Sequence, residues 1–231
     1  MNTLLQVLSG SPTRAFGQLR EESKFPVLAL TASLLVAAVN LVIQLPLTMR
    51  ILKLTLSSLP QNQMDMAFDV AYKLRYLQIL GSMLEMAITL FLYAFLLYII
   101  TAIAKPSLTY TKSFTLILYS YFALLTGDFV NTGLLYMRGL DKIENMYDVS
   151  LTGLNLLTTL DKSGAAIYQF LSLVNPFQIW FILLLCIGLK VFTDINYMKA
   201  LILCLIFWII LTIYPVCAAF FAEAKWKDVI M

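Results

Sequence analysis

The sequence predicts an all-α integral membrane bundle of five transmembrane helices, with short interfacial amphipathic helices beside them. Three observations carry this. Five stretches make up more than half of the 231 residues: 25–49, 77–104, 113–137, 163–189 and 200–222. Three of them carry no charge, the second only Glu85 and the third only Asp128. Each is at least as long as the roughly 20 apolar residues a helix needs to cross hydrocarbon. Inside a bilayer an unclosed segment satisfies its backbone only as a helix. Finally, 61% of the residues are hydrophobic and 13% charged, against roughly 25% charged in a soluble domain.

The elements follow in order. Residues 1–25 form an N-terminal segment. Ser11 suits an N-cap and Pro12 the first helical position. Ala15, Phe16 and Leu19 then recur at helical spacing, with Arg14, Gln18, Glu21 and Glu22 on other faces. This short helix either lies on the bilayer or packs on its own bundle, and packing is the preferred reading. The first apolar run is too long for a signal-peptide core and no small-x-small site follows it, so a retained span is expected.

A five-span domain covers 26–222. Span one, 26–49, starts at Pro26, where a missing N–H costs nothing, and meets Pro46 near its far end, which predicts a local kink or frayed turn. In 50–76, Asp69 and Lys73 are spaced for a helical ion pair and Met64, Phe68 and Ala71 form a modest stripe. This helix is expected to run directly into span two, 77–104, which ends at Lys105-Pro106. Span three is 113–137. In 138–162, Asp141, Glu144, Asp148 and Asp161 stand against Arg138, Lys142 and Lys162. Leu151, Leu154 and the leucines of 157–160 suggest an interfacial helix there. Asn175-Pro176 divides the fourth run into an interfacial or re-entrant helix, 164–174, and span four, 176–191, with Asn175 as N-cap. Span five, 200–222, contains Pro215, and 223–231 form a short tail.

Five spans place the two ends of the chain on opposite sides. The side of the N-terminal segment holds seven Lys and Arg and the other side nine, so the count alone does not orient the protein. The dense short turns, with Lys105, Lys112, Lys190 and Lys199, favour an N-terminus inside and a C-terminus outside.

Composition also removes function classes. Histidine is absent, which excludes His-metal sites, His-based triads and the HExxH helix. Cys186, Cys204 and Cys217 lie within spans and read as small buried apolar residues. No phosphate-binding loop, dinucleotide fingerprint or GxSxG is present. Gly127-Asp128 lacks the upstream glycine and second aspartate of an aspartyl intramembrane protease. No basic stripe with interleaved aromatics lies outside the spans, so nucleic acid is not a partner. No catalytic residues, metal or cofactor are expected.

Two carboxylates remain. Ionisable groups in hydrocarbon usually face a bundle interior or a water path, so Glu85 and Asp128 could serve a small transporter or channel. Their other reading is structural, with Glu85 close to the headgroups near Arg75 and Asp128 bonded to Asn131 or a tyrosine.

The most distinctive stretch is Asn175-Pro176-Phe177-Gln178-Ile179-Trp180, followed by Gly188-Leu189 and by Lys199-Ala200 opening the last span. With Ser11-Pro12, Phe16 and Phe25-Pro26 upstream, it resembles the bacterial Yip-domain family of membrane proteins. The Asp-Leu-Tyr-Gly-Pro and Gly-Tyr motifs of the eukaryotic branch are missing, which argues against a direct Rab-type GTPase role. The resemblance implies a non-enzymatic accessory or assembly subunit in the bacterial plasma membrane. Its implied partners are membrane lipids, an ABC permease and a membrane-fusion-type subunit of an export complex. It also implies that Pro176 sets the entry angle of span four. Phe177 and Trp180 would anchor at the interface and Gly188 would let helices approach closely.

Overall fold

The computed structural model describes residues 6–7, 11–21, 26–56, 60–104, 108–143, 149–158 and 163–230. Glu22, Phe25, Lys105-Pro106, Glu144, Asp148, Asp161 and Lys162 lie outside the described residues. Among the described residues the chain is predominantly helical and holds no strand. The α-helices are α1 (Pro12–Glu21), α2 (Val27–Thr55), α3 (Gln61–Ile103), α4 (Tyr110–Arg138), α5 (Ala165–Leu173), α6 (Pro176–Thr193) and α7 (Tyr197–Ile230). Five of them, α2, α3, α4, α6 and α7, are long and apolar enough to cross a membrane. The all-α, five-span expectation holds.

The bundle is built around α4, which packs against α2, α3 and α6, while α7 packs on α6, α5 and α3. In the apolar stretch of α4, 61% of residues are buried, against 22–39% in the other spans. Yet its mean hydropathy, 1.4, is the lowest of the five. A lipid-facing helix must be apolar all round, whereas a span surrounded by protein can carry hydroxyls and a carboxylate. Ser113, Thr115, Ser120 and Thr132 are buried there beside Phe114, Leu116, Ile117 and Leu118.

Helix α3 is continuous over 43 residues, about 64 Å at 1.5 Å per residue. A bilayer's hydrocarbon is only about 30 Å thick. Its first turns therefore project beyond the bilayer at the end of the bundle opposite α1. Lys73 pairs there with Asp69 at 2.5 Å. The segment 61–76 does run into span two without a break. Helix α2 likewise continues past Pro46 to Thr55. Just beyond the proline, buried Leu47 packs with Leu135 and Ile143. Arg50 donates to the carbonyls of Asp141 at 3.1 Å and Ile143 at 3.5 Å. These contacts tie the 140–143 turn under the end of α2. Gly139 caps α4 at φ 94°, a conformation costly for any residue with a Cβ.

The stripe of α1 is spent on the bundle. Ala15, Phe16 and Leu19 are buried, and the Phe16 ring meets Phe192 of α6 edge-on at 6.2 Å. Arg20 grips the far end of α6 through two bonds to the Asp194 carboxylate, at 2.7 and 2.5 Å, and one to the Val191 carbonyl at 2.8 Å. Asp194 caps α6 in the left-handed region at φ 56°, which Asp and Asn tolerate better than other side chains.

The hydrogen bonds from Arg20 hold the Asp194 carboxyl below the usual carboxylate range. A depressed folded-state pKa stabilises fully above the unfolded value of about 3.9 and is lost as pH falls through the folded value. The unfolding midpoint is therefore expected to drop between about pH 4 and lower values, and Asp194→Asn to flatten that part of the curve. Parallel slopes in the two proteins would show that the clasp contributes nothing.

The stretch with Leu151 and Leu154 forms a 3-10 turn, Leu154–Leu157, rather than an α-helix; residues 159–162 are not described. Buried Asn155 bonds the Ser150 carbonyl at 3.1 Å and the Tyr168 hydroxyl at 3.0 Å. This local side-chain alternative competes with helix formation. The turn docks on α5, with the Leu154 N–H on the Val174 carbonyl at 3.0 Å.

Candidate functional site

On the half of α4 nearer Arg138, Asp128, Asn131 and Thr132 meet polar groups from α2 and from the 149–152 segment. Two cavities flank the helix there, of about 280 and 250 Å³. Tyr121 and Asp128 form part of the wall of both. The first lies between α4, the 149–152 segment and the start of α6, and takes Ser150, Thr152 and Gln178 into its wall. The second lies between α4, α2 and α3, with Asn40, Gln44 and Ser82. Asp128 is exposed to this space. It stands ten residues before Arg138, about 15 Å along the helix.

Around it the amides and hydroxyls are tied to one another. Gln44 Nε2 donates to Thr132 Oγ1 at 2.8 Å, and Thr132 Oγ1 bonds the Asp128 carbonyl at 2.7 Å with Asn40 Oδ1 at 3.3 Å. Asn131 does not serve Asp128. Its Nδ2 donates to the Val149 carbonyl and its Oδ1 accepts from the Leu151 N–H, both at 2.8 Å. One side chain thus pins a loop segment to α4 by both of its backbone partners.

Glu85 is exposed on α3 and lines neither cavity. The structure therefore places one carboxylate at the cavity walls and the other outside them. No group of three or more His, Cys, Asp or Glu that could hold a metal occurs among the described residues. The lining residues include no Lys, Arg or Cys. The arrangement offers oxygen atoms, amides and one carboxylate. It can hold a proton, a water or a cation, but it presents no nucleophile beside a base.

The Asn175–Gly188 stretch lies against the same core. Asn175 caps α6, its Oδ1 accepting from the Gln178 N–H at 2.8 Å, and Pro176 takes the first helical position. Phe177 is half-buried with its ring over Gly127, where an added Cβ would lie 2.7 Å from Cγ. Trp180 is half-buried against the main core. Gly188 faces Leu116 and Phe16, and an added Cβ would stand 2.1 Å from Leu116 Cδ1 and 3.2 Å from Phe16 Cζ. At this point α1, α4 and α6 meet with no room for a side chain.

Sequence reasoning singled out Asp128 but not Asn40, Gln44 and Thr132. The available signal was a pair of amides four residues apart within an otherwise apolar span, since such groups in hydrocarbon seek a partner on another helix.

A five-span helical bundle with an N-terminal helix strapped to its fourth span defines a small multi-pass α-helical membrane protein. Within that class the assignment is specific. The family model for the Yip1 domain matches residues 5–219, and the chain belongs to that family of membrane proteins, which are not known as enzymes. The resemblance read in Asn175–Trp180 and Gly188-Leu189 is shown at the level of the family. No curated protein and no solved structure matches the chain.

Proposed function

We propose that this chain is a non-enzymatic accessory or assembly subunit of an ABC-type export complex. It would sit in a bacterial plasma membrane with its N-terminus cytoplasmic and its C-terminus outside. Its partners would be an ABC permease and a membrane-fusion-type subunit, met through helix–helix contacts. The observation that carries the reading is the overhang of α3. A helix of 43 residues extends well past the hydrocarbon and leaves 61–76, with Asp65, Asp69 and Lys73, largely exposed. In the proposed orientation that overhang lies outside the cell, on the side where a membrane-fusion-type subunit stands. The family membership and the tying of the Gln44 and Asn131 amides to partners within the bundle agree with a scaffold rather than a catalyst.

The test is purification of the tagged chain from mild detergents with mass spectrometry of what co-elutes. Stoichiometric recovery of an ABC permease or its membrane-fusion partner is the expected result; recovery of the chain alone across several gentle detergents overturns the reading. A second reading, a small transporter or channel using Glu85 and Asp128, draws support from the place of Asp128 on both cavity walls. Asp128→Asn and Glu85→Gln should then abolish function with insertion intact, and two working variants would end that reading.

A further inference from the structure

At the overhanging end of the bundle, α2 and α3 enclose a groove of about 360 Å³. Its wall from α2 is apolar, formed by Val42, Leu45 and Pro46, and its rim from α3 is Tyr72, Arg75 and Tyr76. The groove straddles the level at which hydrocarbon gives way to headgroups. Met49 is the last residue of the uncharged run before Arg50, and Arg75 is the last charge before the apolar run 77–104.

Arg75 is held in place at that level. Its Cζ lies 3.9 Å from the Tyr72 ring centre and 4.8 Å from that of Tyr76, and it donates to the Tyr76 hydroxyl at 3.1 Å. The aromatic faces fix the guanidinium without neutralising it. Lys73, two residues away on α3 and outside the groove lining, has its carboxylate in Asp69, and among the described residues no carboxylate pairs with Arg75. A guanidinium offers five N–H groups in a fork that fits a phosphate in bidentate fashion. The two tyrosine hydroxyls take part of that fork, and the remaining N–H groups can meet an anion.

We propose that this groove binds one anionic phospholipid, its phosphate on Arg75 and an acyl chain along Val42, Leu45 and Pro46. Both halves of the site are needed for the match. A soluble anion would meet only the rim, and an uncharged acyl chain only the wall. A phospholipid places its charge and its hydrocarbon across the same boundary that the groove straddles.

The full chain, purified in mild detergent, is equilibrated with equal amounts of phosphatidylglycerol and phosphatidylcholine, and retained lipid is counted by native mass spectrometry. One phosphatidylglycerol per chain is expected, preferred by about tenfold. Arg75→Gln should bring the two lipids level. Arg75→Lys should keep the preference in reduced form, and Lys73→Gln should leave it unchanged. Val42→Trp, which fills the wall but spares the charge, should lower retention of both. Equal retention by the unaltered chain, which needs no variant to fold, overturns the proposal. So does a preference that survives Arg75→Gln.

Discussion

Gly188→Leu is expected to cost about 3 kcal/mol or more and to strip the folded protein from the purified fraction. The cause is geometric. Even a Cβ at this position would stand 2.1 Å from Leu116 Cδ1 and 3.2 Å from Phe16 Cζ. Leu116 and Phe16 are fully buried, so neither has space to swing into. A leucine must push α1, α4 and α6 apart, and in a close-packed interior that strain spreads along all three helices. Gly188→Ala should show a smaller loss, about 1–2 kcal/mol, because only one methyl must be accommodated. Leu116→Ala in the Gly188→Ala background should recover part of it, since contacting residues couple in a double-mutant cycle. Thermal unfolding in detergent, followed by helical signal and by size-exclusion profile, reads all three. An unchanged midpoint in Gly188→Leu would mean that the three-helix contact is loose.

Asn131→Leu is expected to release the 149–158 segment from α4, at a cost of about 3 kcal/mol. The asparagine satisfies a backbone carbonyl and a backbone N–H at once, and both bonds are 2.8 Å. Leucine has nearly the same size but leaves both groups unpaired in a half-buried place, and an orphaned buried donor or acceptor costs about 1–3 kcal/mol. Amide hydrogen exchange at Leu151 should rise sharply, and that at Leu154 should follow, because Leu154 anchors the next turn to Val174. The α4 core should stay protected. Asn131→Asp keeps the acceptor and loses the donor, so it should fall between the two. Exchange at Leu151 that stays slow in Asn131→Leu would remove the clamp from the account of this fold.

These two residues also mark where the sequence stops being readable. The spans were legible because hydrocarbon admits few solutions, and a long uncharged run has one outcome. The start of α6 was legible because the Asn175-Pro176 cap is a local device, complete within four residues. The meeting of Gly188 with Phe16 was not, because the two lie at opposite ends of the chain and a glycine carries no sign of its neighbours. Nor was the clamp of Asn131, whose partners are backbone groups that any sequence possesses. In the candidate site, Asp128 stood out by charge alone. Asn40, Gln44 and Thr132 did not, since amides and hydroxyls leave a span uncharged and escape a search for ionisable groups. Glu85 was equally visible, and its place on the outer face of α3 depends on the rotation of that helix, which charge does not report.

The unbroken run of α3 has one more consequence. With no loop between 61–76 and the span, nothing can absorb a change in length. One residue inserted near Tyr76 would swing the projecting face about 100° around the axis and lift it about 1.5 Å, while seven would return it to within about 20°. The overhang is thus geared to the span like a key to its shaft. Insertions of one or two residues should abolish any contact made by Asp65, Asp69 and Lys73, and a heptad insertion should preserve its azimuth while changing its reach.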